Sequence, residues 1–200
     1  MAKVIVTEFL TLDGVMQAPG GPDEDREGGF EHGGWIMPLF DEAMGKAVND
    51  VTERTGGYLL GRKTYEIFAA YWPTAPAEEP LADTINKLPK YVASTTLKDP
   101  LEWNNSWLVK GDVAGEVARL KRDTEKDLQV VGSGELVQTL IRSGLVDEYL
   151  LMVSPIVVGT GKRLFREGLP RTGLRLVGST ASSTGVVIAT YAPDRSEGKG

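Results

Sequence analysis

The sequence predicts an α/β fold. It is expected as a three-layer domain: a mostly parallel mixed sheet, helices on both faces, and an antiparallel hairpin at the C-terminal end. Three observations carry this expectation. Short β-branched and apolar runs alternate with stretches of helical periodicity along the chain, the pattern of strands joined by crossover helices. The last two such runs, in LRLVGSTASSTGVVIATYAP, alternate on either side of SSTG, which is a hairpin signature. No linker, composition shift or internal repeat divides the 200 residues, a length that suits one domain. That domain is expected to span 1–193, with DRSEGKG at 194–200 as a flexible tail.

Taken in order, residues 3–10 read as a buried strand, and TLDG turns the chain. Residues 16–34 hold six glycines and several acids without apolar periodicity, and are expected to form a long loop. Pro38 opens a helix in which Leu39, Phe40, Ala43, Met44, Ala47, Val48 and Val51 make one apolar stripe. The TGG at 55–57 is expected to end it. A short strand at 58–60 leads into a helix from about Arg62 to Tyr71, closed by Pro73 and Pro76. Strands follow in KYVAST and SWLVK. Asp112 is placed to cap a helix with Val113, Val117 and Leu120 on one face. A strand at 127–131 passes through GSG into a helix at 135–143, with Gly144 at its C-cap. DEYLLMVSPIVVG, from Asp147, is a long apolar strand running into the glycine-rich turn GTGKRLF.

Composition narrows the function classes. Apolar content of 41% and charged content of 25% are ordinary for a globular protein, and a chain of this length buries a core without staples. The net charge of −6, from 22 basic and 28 acidic residues, argues against a nucleic-acid face or a polybasic membrane patch. With no cysteine, disulfide and thiolate chemistry are excluded. With His32 the single histidine, no metal site is expected; His32 reads as an exposed loop residue or as a proton donor. No signal-peptide pattern or apolar run of membrane-spanning length is present, so a cytoplasmic protein is expected.

YLLGRKTYE poses an electrostatic question. Arg62 and Lys63 sit at a helix start, where the backbone already carries partial positive charge. In an open α/β sheet ligands gather beyond the carboxyl ends of the strands. An anion there would meet backbone N–H groups after Gly61, the hydroxyl of Thr64 and a two-pronged grip from Arg62. A solvated basic turn is the alternative. In LQVVGSGELVQTL, Gly132, Ser133 and Gly134 allow a pyrophosphate to approach a helix N-terminus, although a plain tight turn explains them as well, and Glu135 is awkward beside an anion. Ser94, Thr95 and Thr96 end a strand with three hydroxyls, suited to a ribose, a phosphate or a turn. A dinucleotide lying across these strand ends would use them all.

Four stretches carry a family resemblance: FLTLDGVM, GYLLGRKTYE, LQVVGSGELVQTLI and DEYLLMVSPIVVGTGKRLF. In order and spacing they resemble the dihydrofolate reductase-like superfamily, in particular the branch containing the reductase domain of bacterial riboflavin biosynthesis. The resemblance implies NADPH as hydride donor. It implies that Gly61, Arg62, Lys63 and Thr64 hold phosphates, with Arg62 on the 2′-phosphate, and that Ser94 and Thr95 lie near the adenosine ribose. Gly132, Ser133, Gly134 and Glu135 would lie under the pyrophosphate, and Leu12, Asp13 and Gly14 beside the nicotinamide. It further implies a homodimer, with residues 153–158 and the terminal hairpin near the interface.

The substrate side is defined less closely. Trp35, Phe40, Asp41 and Met44 are candidates for the pocket; core packing is the alternative for Met44, and an ordinary acid of a helix's first turn the alternative for Asp41. Asp13 is the catalytic candidate, either bonding a substrate or relaying a proton, or else fixing the turn with Gly14. Residues 16–34 would form the lid. The expected activity is an NADPH-dependent reductase acting on a small planar heterocycle. A riboflavin-pathway pyrimidine reductase and a non-catalytic NADPH-binding protein are the alternatives.

Overall fold

The structure, a computed structural model, describes residues 1–76 and 78–194. Apart from Asp194, the expected tail at 194–200 lies outside them. Eight strands form one sheet: β1 (Val4–Thr11), β2 (Thr55–Gly61), β3 (Lys90–Ala93), β4 (Ser106–Val109), β5 (Asp127–Val131), β6 (Glu148–Ser154), β7 (Leu174–Ala181) and β8 (Val187–Pro193). Five helices connect them: α1 (Glu42–Arg54), α2 (Arg62–Tyr71), α3 (Ala82–Lys87), α4 (Val113–Asp123) and α5 (Gly134–Arg142). The strand order is β4-β3-β2-β5-β1-β6-β8-β7. β1 to β6 pair in parallel, while β8 runs antiparallel to both β6 and β7. The expected parallel sheet with an antiparallel C-terminal hairpin is therefore present. No helix among the described residues is long and apolar enough to cross a membrane.

The winding explains the layers. From β1 the chain steps outward through β2, β3 and β4, then returns to β5 and passes on to β6. Crossovers of one hand put helices from opposite step directions on opposite faces. Val4 and Val6 of β1 pack with Leu128, Val130, Val117, Leu120, Val137 and Leu140 on the α4–α5 face. Ile5, one residue out of phase, joins Met44 and Val51 of α1 with Leu150 and Met152 on the other face. Tyr58 and Leu60 continue that second face against Tyr65 of α2 and Ile85 of α3. Strands buried on both sides are what a parallel sheet requires.

Three boundaries differ from expectation. Pro38 lies in a 3₁₀ turn, Met37–Leu39, and α1 begins later, at Glu42. The reason is Asp41, whose Oδ1 accepts from the Met44 backbone N–H at 3.2 Å and caps the helix. The TGG at 55–57 does not cap α1 but lies inside β2. A Cβ on Gly56 would stand 2.7 Å from Cβ of Lys126, and one on Gly57 3.2 Å from the Tyr91 ring. These glycines serve close strand approach, not a helix end. The strand from Asp147 stops at Ser154, before Pro155. The short helix α3 was not expected. It is held down by Lys90, which is fully buried and donates to the carbonyls of Ile85 (3.2 Å) and Asn86 (2.9 Å) while lying over the Trp103 ring. Cations suit a helix C-terminus.

Residues 16–34 are not a loose flap. Val15, Met16, Ala18, Phe30, Trp35 and Ile36 in and around them are buried. Gln17, also buried, donates from Nε2 to the carbonyls of Asp25 and Glu27, accepts from Lys162 N–H, and receives the Trp35 indole on its carbonyl at 2.8 Å. One side chain thus replaces the regular backbone pairing that the segment lacks.

Glu8 stands out on β1. It lies between Val6 and Leu10 on the α4–α5 face, is buried, and its Oε1 has no partner. Burial raises its pKa well above the ordinary carboxyl value. The folded protein therefore holds a proton here that the unfolded chain releases above its ordinary pKa of about 4.3. Stability should then fall as pH rises from that value toward the folded pKa. Urea unfolding at a series of pH values is expected to show this slope in the wild type and a flatter profile in Glu8→Gln. An equal slope in both would remove Glu8 as its source.

Candidate active site

The carboxyl ends of four adjacent parallel strands lie side by side, in the order β3, β2, β5, β1. They carry, respectively, Ser94 and Thr95; Gly61 to Thr64; Gly132 to Glu135; and Leu12 to Gly14. At about 4.8 Å per interval this rim runs roughly 14 Å, the scale of an extended dinucleotide segment. The candidate cofactor residues, dispersed over more than half the chain, are brought onto one edge.

At the centre of the rim two turns touch. The Gly61 N–H donates to Ser133 Oγ at 2.8 Å, and the Ser133 N–H donates to Thr64 Oγ1 at 3.0 Å. Ser133 takes left-handed backbone, φ 63°, which only small local contacts make tolerable for a non-glycine. A Cβ at Gly132 would stand 3.1 Å from Thr64 Oγ1, so glycine is needed for this approach. The starts of α2 and α5 thereby converge. Neither helix has a side-chain cap, whereas α1 and α4 are capped by Asp41 and Asp112. Two neighbouring helix starts thus lack side-chain caps for their first N–H groups, a setting suited to an anion.

The cations around that place are already neutralised. Arg62 pairs with Glu66 one turn along α2, at 2.9 Å. Lys63 pairs with Glu27, and Arg166 with Glu135. The sequence puzzle of Arg62 and Lys63 at a helix start thus has an internal answer: both positive charges meet carboxylates of the chain itself. Arg166, Lys162 and Glu27 were missed in the sequence. The signal for the two cations was the GTGKRLF turn, which holds Lys162, and the Arg166 that follows it directly; neither had a visible destination until the chain folded. A Cβ at Gly134 would stand 3.2 Å from the Arg166 guanidinium.

The other candidates divide. Ser94 Oγ accepts from the N–H groups of Thr96 (3.1 Å) and Leu97 (3.0 Å), closing a turn after β3, while Thr95 is exposed. Leu12 is 66% exposed, an apolar side chain open at the rim. Gly14, at φ 79°, closes the turn through its N–H to the Thr11 carbonyl. Phe40 is partly exposed and packs edge-on against Phe9 of β1, ring centroids 6.2 Å apart. Trp35 and Met44 are in the core and offer no open wall. Asp41 Oδ2 accepts from the Ser183 N–H and hydroxyl at 2.8 and 2.7 Å, tying α1 to the hairpin turn, and these bonds lower its pKa. His32 is an exposed residue beside Phe30.

Asp13 is a strut. It accepts from the Thr11 hydroxyl at 2.6 Å, the Val158 N–H at 3.3 Å and the Gly159 N–H at 3.0 Å, and it faces Arg163 at 3.4 Å. The Thr11 bond and the backbone donors hold its pKa down at about 2. A carboxylate ionised this firmly is unsuited to relaying a proton near neutrality. Among the described residues no cluster of three or more metal-ligating side chains occurs.

The model of the RibD C-terminal domain matches residues 2–188. The chain belongs to the RibD C-terminal domain family. Membership places it among domains of the reductase type. Two curated relatives from Bacillus subtilis (strain 168) are similar along most of their length, and both are described as uncharacterized. YyaP is 29% identical, over 94% of this chain and 94% of its own. YwjB is 27% identical, over 88% and 90%. Among solved structures, a proposed riboflavin biosynthesis protein from Shewanella sp. PV-4 aligns with TM-score 0.73 at 22% identity, covering 98% of this chain and 100% of its own. A pyrimidine reductase-like protein of Corynebacterium diphtheriae aligns with TM-score 0.68 at 12% identity, over 97% and 92%. RibD of Acinetobacter baumannii aligns with TM-score 0.62 at 13% identity, over 98% of this chain and 59% of its own. These likenesses establish a shared fold.

Because the Asp13 pKa is lowered, its contribution to stability is fully present above the unfolded value and is lost as pH falls through about 2. Asp13→Asn should lower thermal stability at neutral pH and flatten the acid limb of the unfolding curve. A variant as stable as wild type at both pH 7 and pH 3 would show that the strut carries no load.

Proposed function

We propose that this protein is an NADPH-dependent reductase that delivers hydride to a small planar heterocycle. The observation that carries the reading is the pair of uncapped helix starts, α2 and α5, joined at the centre of a four-strand rim in a chain of the RibD C-terminal domain family. The residues fit the coenzyme. A Cβ at Gly132 or Gly134 would crowd Thr64 or the ends of Arg166 and Met16 at 3.1 to 3.3 Å, and Gly132 holds φ 58°; the N–H groups beside them suit a pyrophosphate. Arg62 and Lys63 would hold phosphate oxygens, and Ser94 and Thr95 the adenosine ribose. Leu12 and Gly14 would flank the nicotinamide. NADPH supplies the hydride when bound, while the chain supplies position and excludes water. Leu12 and Phe40, both open, offer apolar surface to a flat substrate. With Asp13 ionised, the accompanying proton is drawn from water.

The family favours a pyrimidine of riboflavin synthesis as the narrower substrate reading. A second reading, a non-catalytic NADPH-binding protein, is favoured by the lack of a proton-donating side chain at Asp13. NADPH oxidation followed with a panel of pterins, pyrimidines and quinones separates the two: turnover supports the reductase, and tight binding without turnover supports the binding protein. Arg62→Ala is expected to weaken NADPH by tenfold or more while changing NADH little, since only the former carries a 2′-phosphate to pair with a guanidinium. Equal weakening of both would move Arg62 to the shared pyrophosphate.

We also propose that a second copy of the chain covers β7. This edge strand is exposed along its whole length, with Leu174, Leu176 and Val177 among its open side chains at one end and Val187 of β8 open opposite Ala181 at the other. Open apolar edges invite pairing. Sedimentation velocity should report a dimer for wild type and a monomer for Leu176→Glu; a monomeric wild type would overturn the assignment.

A further inference from the structure

The acid that neutralises Lys63 comes from far away in sequence and from the segment over the substrate side. Glu27 lies in the short 3₁₀ turn Glu27–Gly29, and its Oε2 bonds Lys63 Nζ at the start of α2. The same oxygen lies 2.5 Å from Lys162 Nζ, in the glycine-rich turn after β6. These two lysines hold the Glu27 carboxyl down at about 2, Lys162 contributing the larger share. A carboxylate therefore already sits beside the helix start where a coenzyme phosphate is proposed.

The contact is built to be exchanged. Glu27 keeps 56% of its side-chain surface open to water, and Lys63 43%. The two residues after it, Gly28 and Gly29, have φ of 70° and 77°, backbone that lets the turn redirect the side chain. Asp25 is different. It pairs with Lys162 at 2.5 Å with only 20% of its side chain exposed, and Gln17 clamps the Asp25 and Glu27 carbonyls from within the core. If the Glu27 side chain leaves, Lys162 keeps the Asp25 carboxylate, the loop keeps its anchor, and Lys63 alone loses its partner.

We propose that Glu27 is an internal competitor for the anion site at the start of α2, and that an incoming phosphate displaces it from Lys63. The inference rests on the coenzyme reading given above, which it deepens. The physical basis is charge. With Glu27 in place, a di-anionic phosphate meets a paired lysine and a nearby negative carboxylate, and their repulsion opposes binding. With Glu27 swung away, it meets a free ammonium and uncapped N–H groups. Occupancy of the site and the position of the 26–29 turn are then linked, and by reciprocity whatever loosens the turn tightens the anion.

Isothermal titration of wild type and Glu27→Gln with two probes, NADPH and inorganic pyrophosphate, tests this. Glu27→Gln should bind both more tightly, by roughly two- to fivefold. In a Lys63→Gln background the same change should give a smaller gain, because only the lost carboxylate repulsion then remains; an equal gain in both backgrounds overturns the displacement from Lys63. Equal NADPH affinity in wild type and Glu27→Gln, or weaker binding in the variant, overturns the competitor and leaves the coenzyme reading standing. Tightening of pyrophosphate with no NADPH binding in either protein supports the competitor and removes the coenzyme reading. No heat from either probe with either protein overturns both.

Discussion

The exchange of hydrogen bonds between Ser133 and the turn from Gly61 to Thr64 is the constraint on which the rest of the site depends. Each turn supplies a donor N–H and an acceptor hydroxyl to the other, at 2.8 and 3.0 Å. To make the exchange Ser133 adopts left-handed backbone and Gly132 does without a side chain. The consequence is positional. α2 and α5 lie on opposite faces of the sheet, yet their first turns meet at the edge between β2 and β5, where the chain reverses its direction of winding. Without that stitch, each helix start would be a separate weak feature. With it, the donors of both address one place.

Charge is arranged around this place with economy. The protein is acidic overall, and its few cations near the rim are held by carboxylates of the chain: Arg62 by Glu66, Lys63 by Glu27, Arg166 by Glu135. Such pairs are exposed and individually weak, so they keep the cations in position without committing them. Asp13 belongs to the opposite class. Its bonds come mostly from backbone donors and the Thr11 hydroxyl, and they lock the turn after β1 to the segment after β6. One set of acids is exposed and held by side-chain cations, the other is held by backbone donors and a hydroxyl.

The segment at 16–34 joins the two sets. Its buried side chains and the clamp by Gln17 make it part of the second-face core. Its tip, around Glu27, and Met16 at its start, beside Gly134, reach the rim.

Much of the fold was legible in the sequence. Strand and helix alternation, the SSTG hairpin and the caps at Asp112 and Gly144 all follow from local preference, because periodicity and capping act within a few residues. The strand-end stretches were legible for the same reason: a strand, a glycine and a helix start are neighbours in the chain. What the sequence misjudged was long-range in origin. The glycines at 56 and 57 looked like a helix end, and only the approach of Lys126 and Tyr91 gave them another role. Trp35 looked available to a ligand until the second-face core closed over it, the same core that takes up the packing alternative for Met44. Asp13 had three readings open, substrate contact, proton relay or turn residue, and only the donors at Val158 and Gly159 from beyond β6 tie it to the turn. The sequence by itself determined which segments become strands and helices and which turns carry donors. Only the tertiary structure decided which turns meet, which acids are fixed and which cations already have partners. Those outcomes depend on contacts between residues tens of positions apart, and no local pattern encodes them.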